Sequence, residues 1–189
     1  MVVPGKYTAR LTVDGNVYTQ PLTVELDPRV HVSQTALEQQ LAFGLKVRDA
    51  RAQAQQTLTQ IKEVQAKLAE TSKGATTPQA AKLQAKIASL AAPGNEGSLS
   101  QIARELGEIG SAAESADAAP TETLLTLYNK ANGALKQRVS EWKQIQADEL
   151  KDLNAALLRA GKPIITFRTH ATEKDDPQYE IFAGKMEND

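Results

Sequence analysis

The sequence has no cysteine, few aromatic residues and almost no net charge, and each of these absences excludes a class of function. Without cysteine, the chain cannot use thiol catalysis, disulfides or cysteine-based zinc sites. Aromatic residues make up only 4% of the chain, and Ala, Leu, Gln, Glu and Lys dominate its middle, which favours a helical bundle over a sheet protein. A formal net charge of −1 provides no long-range attraction for nucleic acid or anionic lipid, so we expect neither nucleic acid nor a membrane as a partner.

Long apolar runs are missing as well. No window of about eighteen apolar residues exists, and the N-terminus has no basic region followed by an apolar stretch. We therefore expect a soluble chain without a signal peptide, which can still be a piece of a longer protein. Its 189 residues are enough to bury a core.

The first 30 residues carry the alternating pattern of a β-hairpin. In the first strand, apolar residues alternate with polar ones: Tyr7, Ala9, Leu11 and Val13. The Asp14-Gly15 pair between the strands suits a tight turn that needs positive φ. Pro21 cannot donate a hydrogen bond to a ladder, which predicts an edge position or a bulge there. Because a lone hairpin is marginally stable in water, we expect it to dock on something.

Capping residues and apolar periodicity predict four helical segments, at about 34–71, 77–92, 98–113 and 121–160. In the first helix the apolar stripe is expected at Leu37, Leu41, Leu45, Ala52, Leu58, Ile61, Val64 and Leu68. In the last helix it is expected at Leu124, Tyr128, Ala131, Leu135, Val139 (or Arg138), Trp142, Ile145, Leu153 and Leu157. Both stripes need partner helices.

The helix lengths allow two arrangements. At about 1.5 Å per residue, the first and last helices are each about 60 Å long and the middle two about 25 and 30 Å. The middle pair can stack end to end in a three-helix bundle, which leaves the C-terminal tail far from the hairpin. Alternatively, the middle pair folds down and back, and the last helix returns to the hairpin end. We favour the second arrangement because the hairpin and a predicted tail strand at 164–171 could then pair, and it predicts a short distance between Ser33 and Ala160.

The predicted fold is therefore mainly α. It is an antiparallel bundle of three or four long helices, with coiled-coil character, an N-terminal β-hairpin and a short C-terminal strand that could pair with the hairpin. The domain prediction places the hairpin at 1–30, the helical bundle at 33–161 and a C-terminal tail at 162–189. A second short strand is predicted within the tail, at 179–182.

Chemistry-bearing residues are sparse. The only histidines are His31 and His170, and if the tail returns to the hairpin they could bind a metal together with Asp27 or Asp175. Exposed histidines without a ligand are the simpler interpretation. The carboxylates alternate with Lys and Arg, as on a solvated helix face, and no phosphate loop, dinucleotide turn or nucleophile elbow is present. We therefore assign no catalytic residue, no cofactor-binding residue and no metal ligand, and we expect a chain that is not an enzyme.

Two stretches resemble one protein family. The first is Pro4-Gly5-Lys6-Tyr7-Thr8-Ala9-Arg10-Leu11-Thr12-Val13-Asp14-Gly15, followed by 18–24 and by Asp27-Pro28-Arg29. The second comprises residues 115–121, Trp142, residues 153–157 and residues 160–163. Together they are similar to the region after the propeller in bacterial BNR-repeat, sortilin-like proteins often labelled glycosyl hydrolases. In that family the first segment resembles the last strands of an immunoglobulin-like or fibronectin type III-like sandwich, and the second belongs to a C-terminal helical region. The tail after Ile164 departs from the family pattern, which tends to end near this point.

This resemblance implies a function for the chain as part of a larger protein. The propeller, with any enzymatic site, would lie upstream, so no catalytic residue is carried over. The chain would be a non-catalytic structural or interaction module, the C-terminal part of a secreted protein, periplasmic or extracellular, that mediates docking or self-association, with a homodimer as one form. Alternatively, it would be an accessory domain that positions an upstream catalytic propeller. A stand-alone enzyme that uses His31 and His170 is a third hypothesis.

Overall fold

A β-hairpin precedes the helices in the computed structural model, which describes residues 2–71 and 77–167. The strands are β1 (Gly5–Val13) and β2 (Asn16–Val24), and the α-helices are α1 (Gln34–Thr71), α2 (Pro78–Ala91), α3 (Leu99–Ala113), α4 (Glu122–Ile145) and α5 (Lys151–Arg159). A π-helical turn, Gln146–Leu150, joins α4 to α5 and makes them one continuous rod. The predicted mainly α fold with an N-terminal hairpin is confirmed.

The predicted helix starts are confirmed by side-chain caps. The hydroxyl of Ser33 accepts a hydrogen bond from the amide of Ala36 at 3.1 Å. The hydroxyls of Thr77, Ser98 and Thr121 each accept from the amide three residues further on. Each cap satisfies a backbone donor that the first helical turn leaves unpaired, so local sequence determines where these helices begin.

The predicted stripe of α1 is right at Leu37, which is buried, but wrong over the rest of the first half of the helix. Leu45 is 40% exposed, and Leu41 is only half-buried. The side chains that face the other helices instead recur at alternating steps of four and three residues: Phe43, Val47, Ala50, Ala54, Thr57, Ile61, Val64 and Leu68. This seam includes alanines and a threonine, which a hydropathy pattern does not identify as buried. The same pattern does select the leucines that lie off the seam.

The favoured chain arrangement is also wrong. Buried Gln40, near the start of α1, donates to the carbonyls of Ala113 and Ala116 at 2.6 and 2.7 Å, so α3 ends beside the start of α1. Since α2 and α3 thus run one after the other against α1, the rod of α4 and α5 runs parallel to α1. Leu157 near the end of this rod packs beside Leu68, at the far end of α1 from Ser33. The arrangement is the three-helix bundle, in which α2 and α3 are stacked end to end and together match the length of α1.

The π-helical turn explains how one rod keeps a single buried face. Ile145 and Leu150 are both buried although they lie five residues apart, a spacing that an ordinary α-helix would place on different faces. The extra residue in the turn brings Leu150, Leu153 and Leu157 into line with the buried residues of α4. If the same sequence formed an ordinary α-helix here, Glu149 would occupy the position next to Ile145 on the buried face.

The first residues of the tail lie against the bundle and form no strand through Phe167. The side-chain amide of Asn154 exchanges two hydrogen bonds with the backbone of buried Ile165, at 2.8 and 2.9 Å. The Phe167 ring lies 6.0 Å from that of Trp142, centroid to centroid. The hairpin is the only sheet among the described residues, so residues 164–167 do not pair with it. The remainder of the predicted strand at 164–171, and the one at 179–182, lie outside the described residues.

Candidate interaction surface

Among the described residues, the hairpin is held only at its base, by the segment that precedes it and by the start of α1. The Tyr7 hydroxyl donates to the carbonyl of buried Val3 at 2.5 Å, and the Gln34 side chain donates to the carbonyl of Pro4 at 3.4 Å. From Thr8 round the turn to Thr23, every residue is exposed. The hairpin therefore extends from one end of the bundle with both faces open, and the docking that we expected for it is not supplied by the described helices.

The strand register separates an apolar from a polar face. Residues directly opposite in an antiparallel pair share a face, and here Tyr7 pairs with Leu22 and Leu11 with Tyr18. We call the apolar hairpin face the set of Tyr7, Ala9, Leu11, Val13, Tyr18 and Leu22; polar Gln20 and Asn16 share this face, opposite Ala9 and Val13. Leu11 is 61% exposed and Tyr18 59% exposed. The other face carries Lys6, Thr8, Arg10, Thr12 and their partners on β2.

The turn determines which backbone groups point away from the hairpin. Asp14 and Gly15 have φ of 49° and 78°, the pair of positive values that a type I′ turn requires, as the Asp-Gly sequence predicted. In such a two-residue turn the flanking pair, Val13 and Asn16, is hydrogen-bonded, and hydrogen-bonded pairs alternate with non-bonded ones along the ladder. Pro21 therefore belongs to a non-bonded pair, and its nitrogen faces outwards, which agrees with the predicted edge position.

Two residues of the histidine hypothesis, His170 and Asp175, lie outside the described residues. His31 is exposed in the segment between the hairpin and α1. Nearby Asp27 is already bound by Arg29, with 2.6 Å between Oδ2 and Nη2, and this hydrogen bond lowers the pKa of the Asp27 carboxyl. Within residues 2–71 and 77–167, no three His, Cys, Asp or Glu side chains come together as a metal-binding set.

One carboxylate departs from the solvated helix face that the sequence predicted. Glu149, in the π-helical turn, has only 14% of its side chain exposed, and its carboxylate contacts the ammonium groups of Lys86 and, at 3.9 Å, Lys82. The hydrogen bond from Lys86 lowers the pKa of Glu149. Because both lysines belong to α2, this cluster ties the π-helical turn to the neighbouring helix.

A groove of about 540 Å³ lies between α1 and α3. Two glycines of α3 line it: a Cβ at Gly110 would lie 3.4 Å from Val47, and a Cβ at Gly107 would lie 3.4 Å from the guanidinium carbon of Arg51. These short distances indicate that the two glycines serve close packing of α1 against α3. The groove contains no polar arrangement that identifies a ligand.

Comparison with known proteins adds no relative: no protein-family model, no curated protein and no solved structure matches the chain significantly. Among the described helices, none combines the length and the apolar character needed to cross a membrane. The hairpin is therefore the strongest candidate site. Sequence reasoning identified the hairpin but not its exposure. Counting residues from the two-residue turn was nevertheless enough to determine which backbone groups point away from the hairpin, because bonded and non-bonded pairs alternate.

Proposed function

We propose that the chain is a non-catalytic interaction module that docks onto a β-sheet through its apolar hairpin face. The observation that carries this proposal is the exposure of Leu11, Tyr18 and their neighbours on a hairpin that the described residues hold only at its base. Full burial of one such side chain is worth about 1.5–3 kcal/mol, a large fraction of the roughly 5–15 kcal/mol that stabilises a typical domain. A contiguous apolar patch of this kind is characteristic of an interface.

The size of the face favours a tethered partner over a second copy. Nine residues at about 3.3 Å span roughly 30 Å, and two strands with their side chains are about 10 Å wide. Two such faces packed together would cover about 600 Å², whereas a stable interface buries about 1,200 Å² or more. A sheet in the same polypeptide needs less surface because its effective concentration is in the millimolar range.

This argument fits the resemblance to BNR-repeat, sortilin-like proteins. We propose that the chain is the C-terminal part of such a secreted protein, periplasmic or extracellular, and that the hairpin completes a sandwich after the propeller. The helical bundle is then a spacer about 55 Å long, the length of α1, between the sandwich at one end and a binding partner at the other. The alternative is an accessory domain of a glycosyl hydrolase-like enzyme, in which the helical bundle positions the catalytic propeller.

The experiment is hydrogen exchange on the product of the full open reading frame in the source genome, compared with the 189-residue chain. We expect the product to be longer and the amides of β1 and β2 to exchange at least tenfold more slowly in it, while the amides of α1 exchange equally. Leu11→Asp should remove the added protection, and the matched polar-face variant Val17→Asp, at an exposed apolar residue of β2, should not.

The proposal fails if the hairpin exchanges equally fast in both proteins. Loss of hydrolysis on removal of residues 33–161, with hairpin protection retained, would select the accessory-domain alternative. Self-association is a second candidate because the hairpin edges are open. It predicts a molar mass that rises with concentration in light scattering, and a constant monomer mass refutes it.

A further inference from the structure

The two edges of the hairpin differ in what they offer to an added strand. The outward-facing backbone groups of β2 belong to Val17, Thr19, Pro21 and Thr23, and those of β1 belong to Lys6, Thr8, Arg10 and Thr12. Since Pro21 has no N–H, the β2 edge lacks a donor near its middle. The β1 edge has all four donors and all four acceptors. A strand can therefore pair along the whole length of β1 only.

The β1 edge also carries charge that nothing in the described chain balances. Lys6 and Arg10 lie on the same polar face, two outward-facing positions apart, and neither forms an ion pair within residues 2–71 and 77–167. Their partners on β2, Thr23 and Thr19, are uncharged. Edge cations commonly oppose pairing with another cationic edge, so this charge disfavours addition of β1 from a second copy.

We propose, building on the docking function above, that β1 is the edge to which the partner adds a strand, and that this strand is acidic. In the added strand, the residues across from Lys6 and Arg10 are four positions apart and lie on the polar face. Carboxylates at these two positions would pair with both cations. The residues across from Tyr7 and Ala9 lie on the apolar face and would extend it. The recognised pattern is therefore acidic, apolar, polar, apolar, acidic, bound by β-augmentation.

The test is binding of a synthetic peptide to the 189-residue chain. The probe is fluorescein-labelled Thr-Glu-Val-Thr-Val-Glu-Thr, and the control is the same peptide with Lys in place of both Glu residues. We expect saturable binding of the acidic probe by fluorescence anisotropy, about tenfold weaker binding of the basic control, and amide shifts in NMR along β1 rather than β2. Equal binding of both peptides, or no binding of either at millimolar concentration, would overturn the proposal.

Matched variants separate edge pairing from general attraction. Thr8→Pro removes one outward donor without removing a bond of the hairpin's own ladder, and should weaken binding at least tenfold while the hairpin amide spectrum persists. Pro21→Thr restores the second edge and should add shifts along β2. The double variant Lys6→Glu and Arg10→Glu should reverse the preference to the basic peptide. An unchanged preference in the double variant refutes an acidic partner but leaves the apolar face, and hence sheet docking, intact.

Discussion

The π-helical turn leads to a prediction about deletions. Ala147 is exposed and lies within this turn. Its deletion places Ile145 and Leu150 four residues apart, so an ordinary α-helix can keep both against the core. Because no buried side chain changes its neighbours, we expect the free energy of unfolding to stay within about 1 kcal/mol of that of the parent.

The matched control is deletion of another exposed alanine, Ala52, in the uninterrupted helix α1. That deletion turns the rest of the helix by about 100° and moves Ile61, Val64 and Leu68 away from the core. At about 1.5–3 kcal/mol for each side chain, the loss is roughly 5–9 kcal/mol, comparable to the whole stability of an ordinary domain. This variant should not fold.

Urea unfolding distinguishes the two deletions. The single tryptophan, Trp142, is buried in the bundle, so its fluorescence reports tertiary packing, and far-ultraviolet circular dichroism reports helix content. We expect a cooperative transition near the parent midpoint for the Ala147 deletion and no folded baseline for the Ala52 deletion. The reasoning is refuted if the Ala147 deletion is as destabilising as the Ala52 deletion.

Three further predictions concern single side chains. Gln40→Ala should lower the free energy of unfolding by about 1–3 kcal/mol, because two carbonyls at the end of α3 lose their buried donor. Glu149→Gln should flatten the loss of stability in acid. The lowered pKa of Glu149 means that its carboxylate stabilises the fold above its ordinary pKa of 4.5, and this stabilisation disappears as the pH falls through the folded-state pKa. Gly161→Ala should cost about 1 kcal/mol, because φ is +64° there.

Each of these has a control in the same urea assay. Gln39→Ala, next to Gln40 but exposed, should change stability by less than about 0.5 kcal/mol. Glu70→Gln, on the exposed side of α1, should leave the dependence of stability on pH as in the parent. A stability curve for Glu149→Gln that runs parallel to that of the parent in acid would contradict the role of Lys86. Gly133→Ala, inside α4 where an added Cβ would meet no atom within 4 Å, should stabilise by about 0.5–1 kcal/mol. The same sign at Gly133 and Gly161 would contradict the conformational argument.

The sequence by itself determined what depends on neighbouring residues in the chain. Ser33, Thr77 and Ser98 mark helix starts because a hydroxyl needs only the next turn of its own helix to form a cap. Asp14-Gly15 determined the turn of the hairpin, and with it the outward position of Pro21, because the side-chain and hydrogen-bonding period of a strand is two. The mainly α class followed from composition and apolar periodicity in the same way.

Only the tertiary structure decided how these elements meet. The seam of α1 passes through Ala50 and Thr57 rather than exposed Leu45, because close packing against two other helices selects side chains for size as well as polarity. The path of the chain depended on contacts more than 70 residues apart, such as Gln40 with Ala113. The exposure of the apolar hairpin face was invisible in the sequence for the same reason: an alternating strand looks identical whether or not another layer covers it, and burial is a property of that layer.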